Sequence, residues 1–216
     1  MSSQSEKKSH SQVILVGNVS SGKSSLLEFL ENNFPTKVMY ADELYKSNPF
    51  FQGDKFSDSK RWSFTSNVWF LTKKIELMAD LPDLLENSSV VIDSGLVMSY
   101  VYAYFCLLME FFEKDEFDLY LELFQKLTVS IPKPDLIVRL DAPPIVLRKR
   151  INERGRQYEI DTYDEKYLRT LDEAIRKTLI AFSKQGVSSI TIPSSDINFL
   201  KPEGAWLDLF SNHLRK

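Results

Sequence analysis

The chain is poor in the residues that usually carry covalent or metal chemistry. One cysteine, Cys106, stands among 216 residues, so no internal disulfide can form. The two histidines, His10 and His213, lie near opposite ends and leave no soft-ligand cluster for a transition metal. Positive charge is not in excess either. The 27 basic and 30 acidic residues give a formal charge of −3, which disfavours nucleic acid as a partner. No apolar run approaches the roughly 20 residues of a membrane helix, and residues 1–11 are polar without an apolar centre, so neither a membrane contact nor a signal peptide is expected. Repeats and low-complexity tracts are missing as well. These absences predict a soluble, cytoplasmic chain: residues 1–11 as a disordered tail and residues 12–216 as one domain large enough to bury a full core.

What is present begins with the apolar run Val13-Ile14-Leu15-Val16, followed at once by Gly17-Asn18-Val19-Ser20-Ser21-Gly22-Lys23-Ser24. This reads as a phosphate-binding loop. The two glycines let the backbone turn so that successive N–H groups face a phosphate, Lys23 brings a point charge to the outer phosphates, and the Ser24 hydroxyl suits Mg²⁺. A helix is expected from Gly22 through Ser25 and onward, adding its positive end to the site.

The rest of the chain alternates strand and helix signals. Thr36–Ala41 reads as a second strand ending at Asp42-Glu43, residues 44–55 as a loop, and a helix runs from Ser57-Asp58 to about Ala79, with Pro82 closing it. Ser89–Asp93 is a short buried strand whose terminal carboxylate should face the phosphate loop and its metal. Residues 96–127 read as helical with a break at Glu113–Asp115. They hold nine aromatic side chains, more than one helix face hides, which suggests a homodimer through this region. Asp135–Leu140 is a fourth strand. A helix from Ile145 then gives way to a loop at Gly155, with Arg148, Lys149, Arg150, Arg154 and Arg156 within nine residues, and a further helix spans about Tyr163 to Lys184. Val187–Ile192 is a fifth strand, and a last helix falls within residues 202–215. Such alternation implies an α/β fold with a mostly parallel sheet covered on both faces.

Four stretches in this order resemble the deoxyribonucleoside kinase family over about residues 12–200. They are the phosphate loop; Glu43 five residues before Asn48-Pro49; Arg61-Trp62-Ser63-Phe64-Thr65; and Leu147–Ile151 leading to Arg154-Gly155-Arg156-Gln157-Tyr158-Glu159. A weaker match is Asp196-Ile197-Asn198-Phe199, similar to the loop that holds adenine. The resemblance implies a five-stranded parallel sheet in the order 2-3-1-4-5 flanked by helices, with an arginine-rich lid. It also implies transfer of the γ-phosphate of ATP, with Mg²⁺, to the 5′-hydroxyl of a deoxynucleoside in nucleotide salvage. Lys23, Arg154 and Arg156 then serve the phosphates, Arg150 stacks on adenine, Glu43 is the base, and Glu159 reaches the sugar. Ser24 and Asp93 are the metal candidates.

The acceptor side departs from the family pattern. Phe56 replaces a tyrosine, Asn67 a longer glutamine, and Asp93-Ser94-Gly95 lacks the usual arginine; Met98 lies near the usual aspartate, and Lys74 stands in for a second arginine. With Trp62 these form the expected acceptor pocket. Two alternatives remain open: a kinase for another nucleoside, nucleotide or modified base, and a non-catalytic nucleotide-binding homologue.

Overall fold

A run such as Val13–Val16, apolar at every position, is satisfied only inside a sheet that is covered on both faces. The computed structural model, which describes residues 10–51, 58–201, 204 and 206–214 (Asp42 and Glu43 through their backbone only), places it there. Five parallel strands lie in the order β2-β3-β1-β4-β5, as expected: β1 (Gln12–Gly17), β2 (Thr36–Tyr40), β3 (Ser89–Asp93), β4 (Leu136–Asp141) and β5 (Ser188–Pro193). Ile14 of β1 pairs with Ile92 on one side and Ile137 on the other.

Strand alternation divides the interior in two. Ile14 and Val16 point into a core shared with α2 (Ser59–Leu77), α4 (Gly95–Leu108), α5 (Lys114–Leu127) and α8 (Glu165–Ser183). Val13 and Leu15 point into a second core with α1 (Lys23–Asn33) and α9 (Trp206–Leu214). All four side chains are at most 1% exposed, and each contributes ~1.5–3 kcal/mol by leaving water. The C-terminal edge gathers Gly17, Tyr40, Asp93 and Asp141, the end of the sheet where ligands bind in open α/β folds.

Some local expectations are corrected. Pro82 does not close a helix but opens one, α3 (Leu81–Asn87), where its missing N–H costs nothing in the first turn. Residues 42–47 form a 3₁₀ turn rather than open loop. The helical break falls earlier than Glu113: α4 ends at Leu108, Glu110 takes a positive φ of 59°, and a reciprocal Glu113/Glu116 capping box restarts the chain as α5. Two further helices complete the path, α6 (Pro144–Arg154) and the short α7 (Gln157–Thr162), where a loop was expected.

The aromatic surplus in residues 96–127 also has an internal explanation. Tyr100, Phe105, Phe112, Phe117, Tyr120 and Phe124 are at most 9% exposed, and Tyr102, Tyr104 and Phe111 pack against the same core. The expectation assumed one buried helix face. α4 is instead enclosed by α2, α5, α8 and β1, so the chain's own core absorbs these rings.

Candidate active site

The loop between β1 and α1 has the close packing that glycine permits. A Cβ on Gly17 would lie 2.5 Å from Ser21 Oγ and 2.8 Å from the Leu140 carbonyl oxygen. Gly22 takes φ +103° at the start of α1, a left-handed conformation that favours glycine. Lys23 Nζ donates to the carbonyls of Gly17 (3.0 Å) and Asn18 (3.2 Å), so the ammonium is held within the loop. The hydroxyls of Ser20 and Ser21 are buried without a hydrogen-bond partner among the described residues, unusual for polar atoms out of water. Val19 packs at the core edge, Ser24 is exposed at the first turn of α1, and Ser25 is half-buried. Asn18 has a structural task. Its Nδ2 donates to the Leu168 carbonyl of α8 at 2.7 Å and its Oδ1 accepts from Val19 N, tying the loop to a helix 150 residues away.

Arg150 on α6 reaches the same loop. Its Nη1 donates to the Ser20 carbonyl at 3.3 Å, while Nη2 donates to the carbonyls of Ser194 and Ser195 at 2.6 and 2.9 Å. Ser194 is in turn held on the Asp141 carbonyl by its N–H (2.7 Å) and hydroxyl (3.1 Å). Phe199, 2% exposed, lies over Gly22 and edge-on to Trp206. Asp196 and Asn198 are exposed on this segment, where Asn198 Oδ1 accepts from Leu200 N.

One turn beyond Arg150, Arg154 and its neighbour Arg156 converge on one carboxylate. Glu159, its side chain 5% exposed, accepts from Arg154 Nη1 (3.4 Å to each oxygen), Arg156 Nη1 (3.1 Å) and the Tyr158 hydroxyl (3.1 Å). Hydrogen bonding to Glu159 raises the Arg156 pKa, and burial with the same carboxylate raises that of Tyr158. Arg148, from the same basic cluster, donates to the Ile160 and Tyr163 carbonyls and fastens α7 to α6.

The acceptor candidates occupy the opposite side of β1. Glu43 lies on the 3₁₀ turn directly after β2, whose last residue Tyr40 is in register with Asp93. Asp93 is 4% exposed and accepts from Ser94 Oγ at 3.0 Å. Ser94 holds a positive φ of 66°, a strained conformation for a non-glycine residue. Lys74, 5% exposed, donates at 2.9 Å to the carbonyl of Gly95, two residues after Asp93. Asn67 is buried with its Nδ2 on the Ser63 carbonyl (2.9 Å) and on Cys106 Sγ (3.4 Å). Trp62 stacks on Phe50 at 5.7 Å between ring centres, and Met98 is 2% exposed inside the core. Phe56 lies outside the described residues.

Sequence reasoning missed a charged group under β4. Arg139, 8% exposed, donates to Asp141 at 2.8 Å and also pairs with Asp172 of α8. A signal was available: Arg139 and Asp141 are two residues apart, so they share one face of an otherwise apolar strand.

Comparison with known proteins bears on this geometry. The family model described as deoxynucleoside kinase matches residues 13–210. The chain belongs to the deoxynucleoside kinase family. Among curated relatives, a deoxyguanosine kinase of Bacillus subtilis is 28% identical over 190 residues, covering 85% of this chain and 87% of that protein. A deoxyadenosine kinase of Lactobacillus acidophilus is 26% identical over 152 residues, or 68% of each chain. Among solved structures, deoxyadenosine kinase from M. mycoides with bound dATP aligns with a TM-score of 0.74 at 17% identity, covering 94% of this chain and 98% of its own. That similarity shows the shared fold. As a deoxynucleoside kinase, the chain phosphorylates deoxynucleosides at the expense of ATP. No helix among the described residues is long and apolar enough to cross a membrane.

Proposed function

We propose that residues 12–216 form one domain that moves the γ-phosphate of ATP to the 5′-hydroxyl of a deoxynucleoside, with Glu43 as base and the 17–24 loop and α6–α7 lid as the donor half. The observation that carries this reading is Arg150's bond to Ser20. It seats the lid helix on the phosphate loop, and Arg154 follows one turn later on the same helix.

Phosphoryl transfer needs positioning and charge neutralisation more than covalent chemistry. Lys23 leaves the Gly17 and Asn18 carbonyls for phosphate oxygens. Arg154 and Arg156 exchange Glu159 for the transferring phosphoryl group, with forked donors suited to two oxygens at once. Glu159, freed of them, is available to a sugar hydroxyl, and Glu43 accepts the proton of the 5′-hydroxyl. Ser24 and Asp93 would hold Mg²⁺ through the hard oxygens that suit it, and among the described residues no cluster of three or more His, Cys, Asp or Glu side chains offers a competing site. A bound ion would supply neutralisation of the charge on the phosphate oxygens. Asp196, Asn198 and Phe199 belong to the base side of the donor, and Trp62, Asn67, Lys74 and Met98 to the acceptor side or its support.

A cytoplasmic setting is part of this proposal, supported by the single buried cysteine. So is a homodimer through residues 96–127, now supported by the exposed Leu119 and Leu127 of α5 and the neighbouring Val129. Light scattering at micromolar concentration tests it, and a monomeric mass rejects it.

The test of function is an acceptor panel with labelled ATP, beginning with deoxyguanosine and deoxyadenosine because two relatives bear those names. Loss of turnover in Glu43→Gln with ATP affinity intact supports the assignment of the base. Unchanged turnover removes Glu43 from that role.

A further inference from the structure

The contacts of Arg150 point beyond a residue that merely touches the nucleotide. Its guanidinium is ringed by three backbone carbonyls, one in the phosphate loop (Ser20, 3.3 Å) and two just after β5 (Ser194, 2.6 Å; Ser195, 2.9 Å). Arg150 forms no ion pair among the described residues, whereas Arg154 and Arg156 share Glu159. Its planar fork is therefore spent on two separate backbone segments, a bridge that a single ammonium group cannot span with the same geometry.

The joined segments have different tasks in the reading above. One cradles phosphates, and the other, residues 194–199, serves the base. A second fastening joins them on the apolar side. Phe199 packs so closely on Gly22 that a Cβ there would come within 3.0 Å of its ring. Behind them, Ser194 is anchored through its N–H and hydroxyl to Asp141 of β4, and Asp141 is paired with Arg139, which also holds Asp172 of α8.

We infer that Arg150 is a positioning residue for donor selection: by clamping Ser20 to Ser194 and Ser195 it fixes the distance between phosphate cradle and base loop, so that a nucleotide is recognised along its whole length. This rests on the proposed donor role of the 17–24 loop. The clamp is made wholly by the chain's own atoms, and removing it costs the base's contribution to affinity while leaving that of the phosphates. Its effect on the nucleotide is indirect, through the backbone it holds.

The experiment compares the full chain with Arg150→Lys in calorimetric titrations with Mg²⁺·ATP and with Mg²⁺·tripolyphosphate, which has no base. ATP affinity is expected to fall about tenfold, the worth of one or two well-made hydrogen bonds, with tripolyphosphate affinity held within about twofold. Hydrogen exchange of residues 194–199 should accelerate in the ligand-free variant, which a residue acting only by direct contact with the nucleotide would not cause. Equal losses for both ligands, or unchanged exchange in the free protein, overturn the inference. If Arg150→Lys does not fold, Phe199→Leu loosens the other fastening and should give the same base-dependent loss; its absence also overturns the inference. Failure of the acceptor panel leaves these binding measurements standing, so the two readings fail separately. A wild-type chain that binds neither ligand removes the donor site and this inference together.

Discussion

Arg156 Nη1 lies 3.1 Å from Glu159 Oε1, and the carboxylate it meets is almost wholly buried. With Arg154 on the same group, the segment 154–159 is closed upon itself, both guanidinium charges held by an internal anion. Glu159→Gln removes that anion. Because Arg154 and Arg156 are 39% and 53% exposed, the stability cost should be small, ~1 kcal/mol or less. Turnover should fall by at least tenfold if Glu159 also meets the sugar. Urea denaturation with steady-state kinetics separates the two effects.

Gly17→Ala should be far more damaging to structure. The added methyl meets Ser21 Oγ at 2.5 Å and the Leu140 carbonyl at 2.8 Å, and the second is backbone that cannot swing aside. Overpacking of this kind costs ~1–3 kcal/mol. A lowered melting temperature together with lost ATP binding is the expected outcome.

Lys23→Met should do the opposite. Among the described residues Lys23 holds only the Gly17 and Asn18 carbonyls of its own loop, so the fold should persist. Turnover should drop by about a hundredfold or more, the usual cost of removing one preorganised charge from a transition state. Circular dichroism and single-turnover assays check both halves.

Asn18→Ala tests the loop's attachment to α8. It leaves the buried Leu168 carbonyl without its 2.7 Å donor, worth ~1–3 kcal/mol. A higher KM for ATP should accompany the lost stability, because the loop is no longer held.

Alkaline pH supplies a further test. Burial pushes the Cys106 thiol up to about 12, and partial burial with the Glu31 hydrogen bond pushes the Tyr40 phenol up to about 12. Both keep their protons in the folded chain where the unfolded chain has lost them, from ordinary values of 9.0 and 10.0. Their contribution is intact below about pH 9 and is lost as pH rises towards 12. Denaturation midpoints should fall over that range, and less steeply in Cys106→Ala; an equal slope would remove Cys106 as a cause. Tyr40 is 47% exposed and should matter less.

Much of this was legible in the sequence because it rests on local pattern. Val13–Val16 reads as a central strand from hydrophobicity alone, and Gly17–Ser24 carries its chemistry in its spacing. Pro82 is ambiguous in the sequence because proline ends one helix and begins another with equal ease, and only the next elements decide. The α7 turn, six residues without an apolar period, gave no signal. The structural bond that Asn18 adds to its place in the phosphate loop, to a carbonyl 150 residues away, leaves no local trace. The same holds for Arg150, whose basic helix was visible while its three carbonyl partners were not. The burial of the aromatic run 96–127 was illegible for a related reason: how many faces of a helix are covered depends on its neighbours, and α4 has them nearly all round.

The most direct test of the account is transfer of labelled γ-phosphate from ATP to a panel of the four deoxynucleosides, run beside Lys23→Met and Glu43→Gln. A 5′-monophosphate of at least one deoxynucleoside, formed by the wild-type chain and lost in both variants, is the predicted result. ATP binding with no deoxynucleoside phosphorylated, or label passed only to a different class of acceptor, would contradict it.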